Sequence, residues 1–200
     1  VVFGLWAGQE RQGFNYNDSR AVEAQLARFR EVVRTYKDHP AILMWGLGNE
    51  NDLFYTDLKV WDALNDIAEM IHEEDPTHPV MHVPAGLDIA EVQLIMDRAP
   101  AIDVYGSITY GELGGGTSEL RSYGYEGPSV GTTLRRAGWD GPYVIAEWGP
   151  DGHWEVPKTE WGAPIEQTSH EKAQMYRIRY ERGSAADTTH SIGAYAFLWG

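Results

Sequence analysis

The sequence has 200 residues and no cysteine. That excludes a disulfide framework and thiolate zinc sites, and leaves the compartment open, a secreted or periplasmic one included. It has no apolar run of transmembrane length and no visible signal peptide. Basic residues are scarce: 16 Lys and Arg stand against 30 Asp and Glu, a formal net charge of -14. Such a surface argues against nucleic acid and anionic membranes as partners, and suits a neutral substrate. Several catalytic signatures are missing too. The histidines show no H-E-x-x-H spacing for a metal, no G-x-S-x-G elbow is present, and the glycine-rich stretch 111–117 lacks the lysine of a P-loop. Gly46-Leu47-Gly48 begins like a dinucleotide fingerprint, but Asn51 stands where its third glycine belongs and no helix pattern opens there.

What is abundant is aromatic and apolar: 42% hydrophobic and 12% aromatic residues, with 8 Trp and 11 Tyr. This composition excludes disorder and provides for one domain with a sizeable core. Several tryptophans sit beside glycines rather than inside apolar runs, which fits stacking platforms for sugars as well as core filling.

Two stretches share one grammar. His39-Pro40-Ala41-Ile42-Leu43-Met44-Trp45-Gly46-Leu47-Gly48-Asn49-Glu50 is an apolar run entered through proline and ended by glycine, amide and carboxylate. Pro142-Tyr143-Val144-Ile145-Ala146-Glu147-Trp148-Gly149-Pro150 repeats the plan. Short apolar runs without polar alternation read as parallel strands buried on both faces. Glu50 and Glu147 then fall at carboxyl ends of strands, where α/β folds place their chemistry, each expected to be flanked by Trp45, Trp148 and apolar walls. Two carboxylates so placed are what glycosidic bond cleavage requires.

The intervening chain alternates strands and helices. Strands are expected at 1–7, 41–47, 79–83, 101–110, 142–147 and 191–198. Helices are expected from a cap at Asn17 or Asp18 to Lys37, from Leu58 to Glu74, from Leu87 to Arg98, in a weaker region ending near Arg136, and from a Thr168–Glu171 capping box to a stop at Gly183. Val22, Leu26, Phe29, Val33 and Tyr36 mark the apolar stripe of the first helix; Val60, Leu64, Ile67 and Ile71 mark that of the second. His72-Glu73-Glu74-Asp75 reads as a solvated helix end. The segment 148–167, rich in Trp, Pro and Gly, is long enough to be functional. Strict alternation implies an α/β fold with a parallel sheet, either open or closed as a (β/α)₈ TIM barrel. Six strands are two short of a barrel, so the reading is residues 1–200 as one partial barrel domain. On this reading two βα units are expected to lie before Val1, and apolar strand edges are expected to await that segment or self-association.

At these residues the sequence resembles the clan A glycoside hydrolases, most closely the catalytic barrel of glycoside hydrolase family 2. Gly-Leu-Gly-Asn49-Glu50 and Val-Ile-Ala-Glu147-Trp-Gly look like the clan's acid/base and nucleophile strands. The resemblance covers nearly the whole chain, as strands three to eight of the barrel, without the clan's strand-two arginine. It implies a retaining enzyme that cleaves β-linked glycosides or polysaccharides by double displacement, without metal or organic cofactor. Glu50 would be the general acid/base and Glu147 the nucleophile. Asn49 would bond the sugar 2-hydroxyl, Tyr110 would donate to the nucleophile, and Trp199 would stack under the sugar. Trp148, Trp154 and Trp161 are further candidates for contact with a carbohydrate substrate, the last two because their loop follows the nucleophile. The alternatives are a transglycosidase acting on β-glucans and an inactive carbohydrate-binding barrel fragment.

Overall fold

The computed structural model describes residues 1–110 and 129–197. Along them six β-strands alternate with five α-helices, and every described pairing between strands is parallel. The chain divides into two compact units, Val1–Gly106 and Ser107–Gly200.

The first unit pairs β1 (Val2–Leu5) with β2 (Met44–Leu47), β2 with β3 (Val80–His82), and β3 with Val104 and Tyr105 of β4 (Val104–Ile108). All four residues of β2 are buried, as a strand covered on both faces requires. The strand is shorter than its apolar run, because the Ile42 amide closes a turn on His39 O and leaves Leu43 exposed. Asp18 caps α1 (Ser19–Tyr36), accepting from the Arg20 and Ala21 amides. Phe29 and Val33 form its buried face. The polar Gln25 joins them because its Oε1 accepts the Gly8 amide at 2.7 Å, whereas Tyr36 at the end of the expected stripe is exposed.

In α2 (Lys59–Glu74) the expected Val60, Leu64, Ile67 and Ile71 are buried together with Trp61 and Met70. Each such side chain contributes about 1.5–3 kcal/mol by leaving water. The end of this helix is not a solvated terminus. Glu74 accepts from Arg30 and Arg34 of α1 at 2.6–2.8 Å, and Asp75 is buried beneath the Trp45 indole, the Thr77 hydroxyl and His78. These bonds use the helix end to join α1, α2 and β2, so Asp75 is taken out of water while Glu73 stays exposed. Asp88 caps α3 (Ile89–Arg98) through the Ala90 and Glu91 amides.

In the second unit α4 (Val130–Ala137) ends on Gly138, whose φ of 98° suits glycine. The stretch 111–117 and the start of the expected weak helical region lie outside the described residues. β5 (Tyr143–Trp148) pairs with β6 (Ser191–Ala196). The Thr168–Glu171 capping box opens α5 (Ser169–Arg179). Gly183 does not stop this helix. Its backbone continues from Tyr180 to Ser184 as one π-helical turn in which Gly183 and Ser184 are buried. On β6 and just beyond it, Ile192, Tyr195 and Phe197 are exposed.

Candidate active site

Glu50 lies three residues beyond the end of β2 and has a positive φ of 49°. A side chain in that region costs about 1–2 kcal/mol, so surrounding contacts must impose it. The Glu50 amide donates to Val83 O at 2.7 Å, and Asn49 N donates to Asn51 Oδ1 at 3.1 Å. The buried Asn51 amide in turn donates to Gly8 O at 2.9 Å and Ala7 O at 3.3 Å. Gly48, with φ +68°, makes room for it: a Cβ there would lie 2.1 Å from Asn51 Oδ1. Buried Gln9 closes the set by donating to Asn49 O.

The Glu50 carboxylate does not lie between apolar walls. Its Oε2 accepts from the Arg11 guanidinium at 2.9 Å, and Arg11 Nε donates to Gln9 Oε1 at 3.0 Å. Trp45 faces the helices instead, with Nε1 on Asp75 at 2.9 Å and its ring 5.3 Å from Phe3. Beyond Glu50, both Asp52 oxygens accept the Ala85 amide, at 2.9 and 3.0 Å. Burial pushes the Asp52 carboxyl up to about 6 against that hydrogen bond. Phe54, on the same loop, has a φ of 59° and is 79% exposed. His82 on β3 is fully buried and held neutral, its pKa lowered by burial to about 4, with Nδ1 donating to Leu47 O at 2.7 Å.

Glu147 lies in the second unit, at a bulge of β5. Ile145 is opposite Ala194 and Trp148 opposite Ala196, so the Ala146–Glu147 step carries one residue more than its partner. Such irregularities re-aim side chains. Tyr110 Oη donates to Glu147 Oε2 at 2.9 Å, and the Thr109 amide donates to Glu147 O at the same distance. Trp148 is buried, its ring centroid 5.3 Å from that of Tyr176 and 6.1 Å from that of Tyr180, which leaves little indole surface for a ligand. The loop 149–167 is moored by Arg179, a buried side chain that donates to Gly149 O at 2.6 Å and to Asp151 Oδ1. Trp154 meets Tyr110 edge to face at 5.2 Å and is 56% exposed. Tyr110, His153, Trp154, Glu166, Lys172 and Tyr176 are among the residues lining a cavity of about 470 Å³. Trp161, 80% exposed, is not among them, and Trp199 lies outside the described residues.

Sequence reasoning did not single out Gln9, Arg11, Asn51 or Arg179. Their partners lie up to 44 positions away, and only the polarity of Gln9 and Arg11 between a strand and a helix hinted at a role.

Strand-end glutamates on a parallel α/β framework place the molecule among TIM-barrel proteins, and solved structures agree on that fold. The β-D-glucuronidase of Dictyoglomus thermophilum matches with a TM-score of 0.63 at 18% identity, over 90% of this chain and 29% of that one. The hyperthermostable endo-1,4-β-D-mannanase of Thermotoga petrophila matches with a TM-score of 0.60 at 15% identity, over 98% of this chain and 62% of that one. More narrowly, residues 3–111, over half of the chain, match the model of the glycosyl hydrolases family 2 TIM barrel domain. The chain belongs to that family. A β-galactosidase of Psychromonas ingrahamii is 30% identical over 80 residues, 40% of this chain and 7% of that protein. The chain thus spans a small part of that relative and under a third of the glucuronidase. The matched residues include Glu50 and Tyr110; Glu147 lies beyond them.

Proposed function

We propose that the protein hydrolyses β-glycosides by double displacement, with Glu147 as nucleophile and Glu50 as general acid/base. The hydrogen bond from Tyr110 to Glu147, at a strand bulge in a family 2 chain, carries this reading. It supplies the donor that an ionised nucleophile requires, and it fixes the orientation of the carboxylate.

In the first step a Glu147 oxygen bonds the anomeric carbon, the glycosidic C–O bond breaks, and the leaving oxygen takes the proton of Glu50. In the second, water gives a proton to Glu50 as its oxygen bonds the anomeric carbon, and the bond to Glu147 returns its electron pair to that carboxylate. Both backbone polar groups of Asn49 are engaged, so its side-chain amide is the group offered to the sugar 2-hydroxyl. Trp154 supplies a sugar platform at the rim of its cavity. The named relatives point to β-galactosides first and β-glucuronides second.

The test is a panel of 4-nitrophenyl β-glycosides incubated with the full chain, with proton NMR of the first sugar anomer released. Turnover with retained configuration, reduced more than about 10³-fold in Glu147→Ala, is expected. Inversion, or turnover that survives Glu147→Ala, overturns the assignment.

A further inference from the structure

The Arg11–Glu50 pair is not explained by folding. Both side chains are roughly a quarter exposed, 28% and 26%, and a pair so placed contributes about 0–1 kcal/mol to stability. Yet it is anchored more firmly than a surface pair needs. Arg11 Nε is held by Gln9 Oε1, Gln9 is 2% exposed, and its amide also fixes Asn49 O, the carbonyl directly before Glu50. One buried glutamine therefore positions both the guanidinium and the strained peptide that bears the carboxylate.

From this geometry we infer that Arg11 is a positioning residue for Glu50, holding Oε2 so that Oε1 is the oxygen that exchanges the proton. The inference rests on Glu50 being the acid/base. Its chemistry adds nothing to the two steps given above. In the first, the proton leaves Oε1 and the charge appearing on the carboxylate is met by Arg11. In the second, Oε1 takes the proton of water. Without Arg11 the carboxylate can rotate away from the line of transfer, and its developing charge meets no fixed cation. A simple surface pair, by contrast, would make no difference to either step.

The two steps can be read separately. A 2,4-dinitrophenyl leaving group needs no protonation, so its first step bypasses Glu50, while the second still needs the base. The probes are 2,4-dinitrophenyl and methyl β-D-galactosides and β-D-glucuronides, with Arg11→Met, Arg11→Lys and Glu50→Ala compared in the full chain. For Arg11→Met we expect kcat and KM on the dinitrophenyl glycoside to fall together by about tenfold or more, leaving kcat/KM within about threefold. The methyl glycoside should lose kcat/KM by at least tenfold. Added azide, which attacks the glycosyl-enzyme without a base, should restore the lost kcat and yield glycosyl azide. Arg11→Lys should recover part of the loss by keeping the charge, and the melting temperature of both variants should stay within a few degrees of the parent.

If Glu50→Ala responds to azide while Arg11→Met turns over both probes like the parent, Arg11 has no positioning role and the inference fails alone. If Glu50→Ala shows no azide response, or neither sugar is turned over, the reading of Glu50 fails and the inference goes with it.

Discussion

Trp154 and Trp161 share one loop and an exposed indole, yet their surroundings differ. Trp154 rests edge-on against Tyr110, whose hydroxyl reaches Glu147, and it lines the cavity; Trp161 stands 80% exposed beyond it. A rigid aromatic face at a cavity rim offers contact area at low entropic cost, whereas a lone exposed one is ordinary surface. Trp154→Ala should therefore weaken oligosaccharide binding by about 1–2 kcal/mol, roughly tenfold in Kd, at an unchanged melting temperature. Trp161→Ala should change neither quantity. Titration calorimetry with a β-linked oligosaccharide and a thermal scan check both, and a larger loss for Trp161 would reverse their roles.

Among the elements, the segment following β5 depends most on one side chain. Arg179 near the end of α5 is 3% exposed and joins Gly149 O and Asp151, while Gln167 Nε2 holds the other Asp151 oxygen at 3.0 Å. Removing one partner of a buried pair strands the other charge, at a cost of about 3–5 kcal/mol. Arg179→Met should lower the melting temperature by on the order of 10 °C and weaken oligosaccharide binding, because Asp151 and its neighbours line the cavity. Arg179→Met with Asp151→Leu should recover part of the loss in a chemical denaturation series.

The elements themselves are legible in the sequence where one physical signal dominates. Apolar runs gave strands, the stripe of α2 reads at helical spacing, and the caps at Asp18 and Thr168 are local chemistry between residues two or three apart. What was hidden is polar and long-range. Gln25 turns inward where it accepts the Gly8 amide, and Asp75 is buried where the Trp45 indole, Thr77 and His78 meet it. Gly183 reads as a stop, yet the π-turn carries it and Ser184 into the interior. At the site, the two glutamates stand out by position, but the guanidinium meeting Glu50 comes from a loop 39 residues earlier. Local pattern carries no record of such a contact.

For the molecule as a whole, the titrating groups pull stability in opposite directions with pH. Glu91 is raised to about 7, chiefly by burial and then by the Asp52 and Asp88 charges, and Asp52 is raised to about 6. From the unfolded carboxylate range up to about 7 the folded state holds protons that the unfolded chain releases. These two groups therefore stabilise fully below that range and lose their effect as pH rises through it. His82 does the reverse, since the unfolded chain takes a proton near 6.5 and the folded one only near 4. Burial opposes the Asp75 carboxylate, but hydrogen bonds from Thr77, Trp45 and His78 outweigh it and hold it near 2, so its contribution is lost only as pH falls from about 4 to about 2. In Glu91→Gln the change in melting temperature relative to the parent should be more favourable at pH 8 than at pH 5. Equal changes at the two pH values would show that Glu91 does not titrate in this window.

The positive φ of Glu50 has an evolutionary edge. Glycine would hold that backbone without the Cβ penalty, so Glu50→Gly should be more stable than the parent by about 1 kcal/mol, read by urea denaturation, while losing turnover of glycosides whose leaving group needs a proton. A library screened only for thermal robustness would be drawn to that substitution, and a library screened for turnover would be driven away from it. On the proposed role of Glu50, the glutamate serves chemistry at the expense of the fold's own persistence.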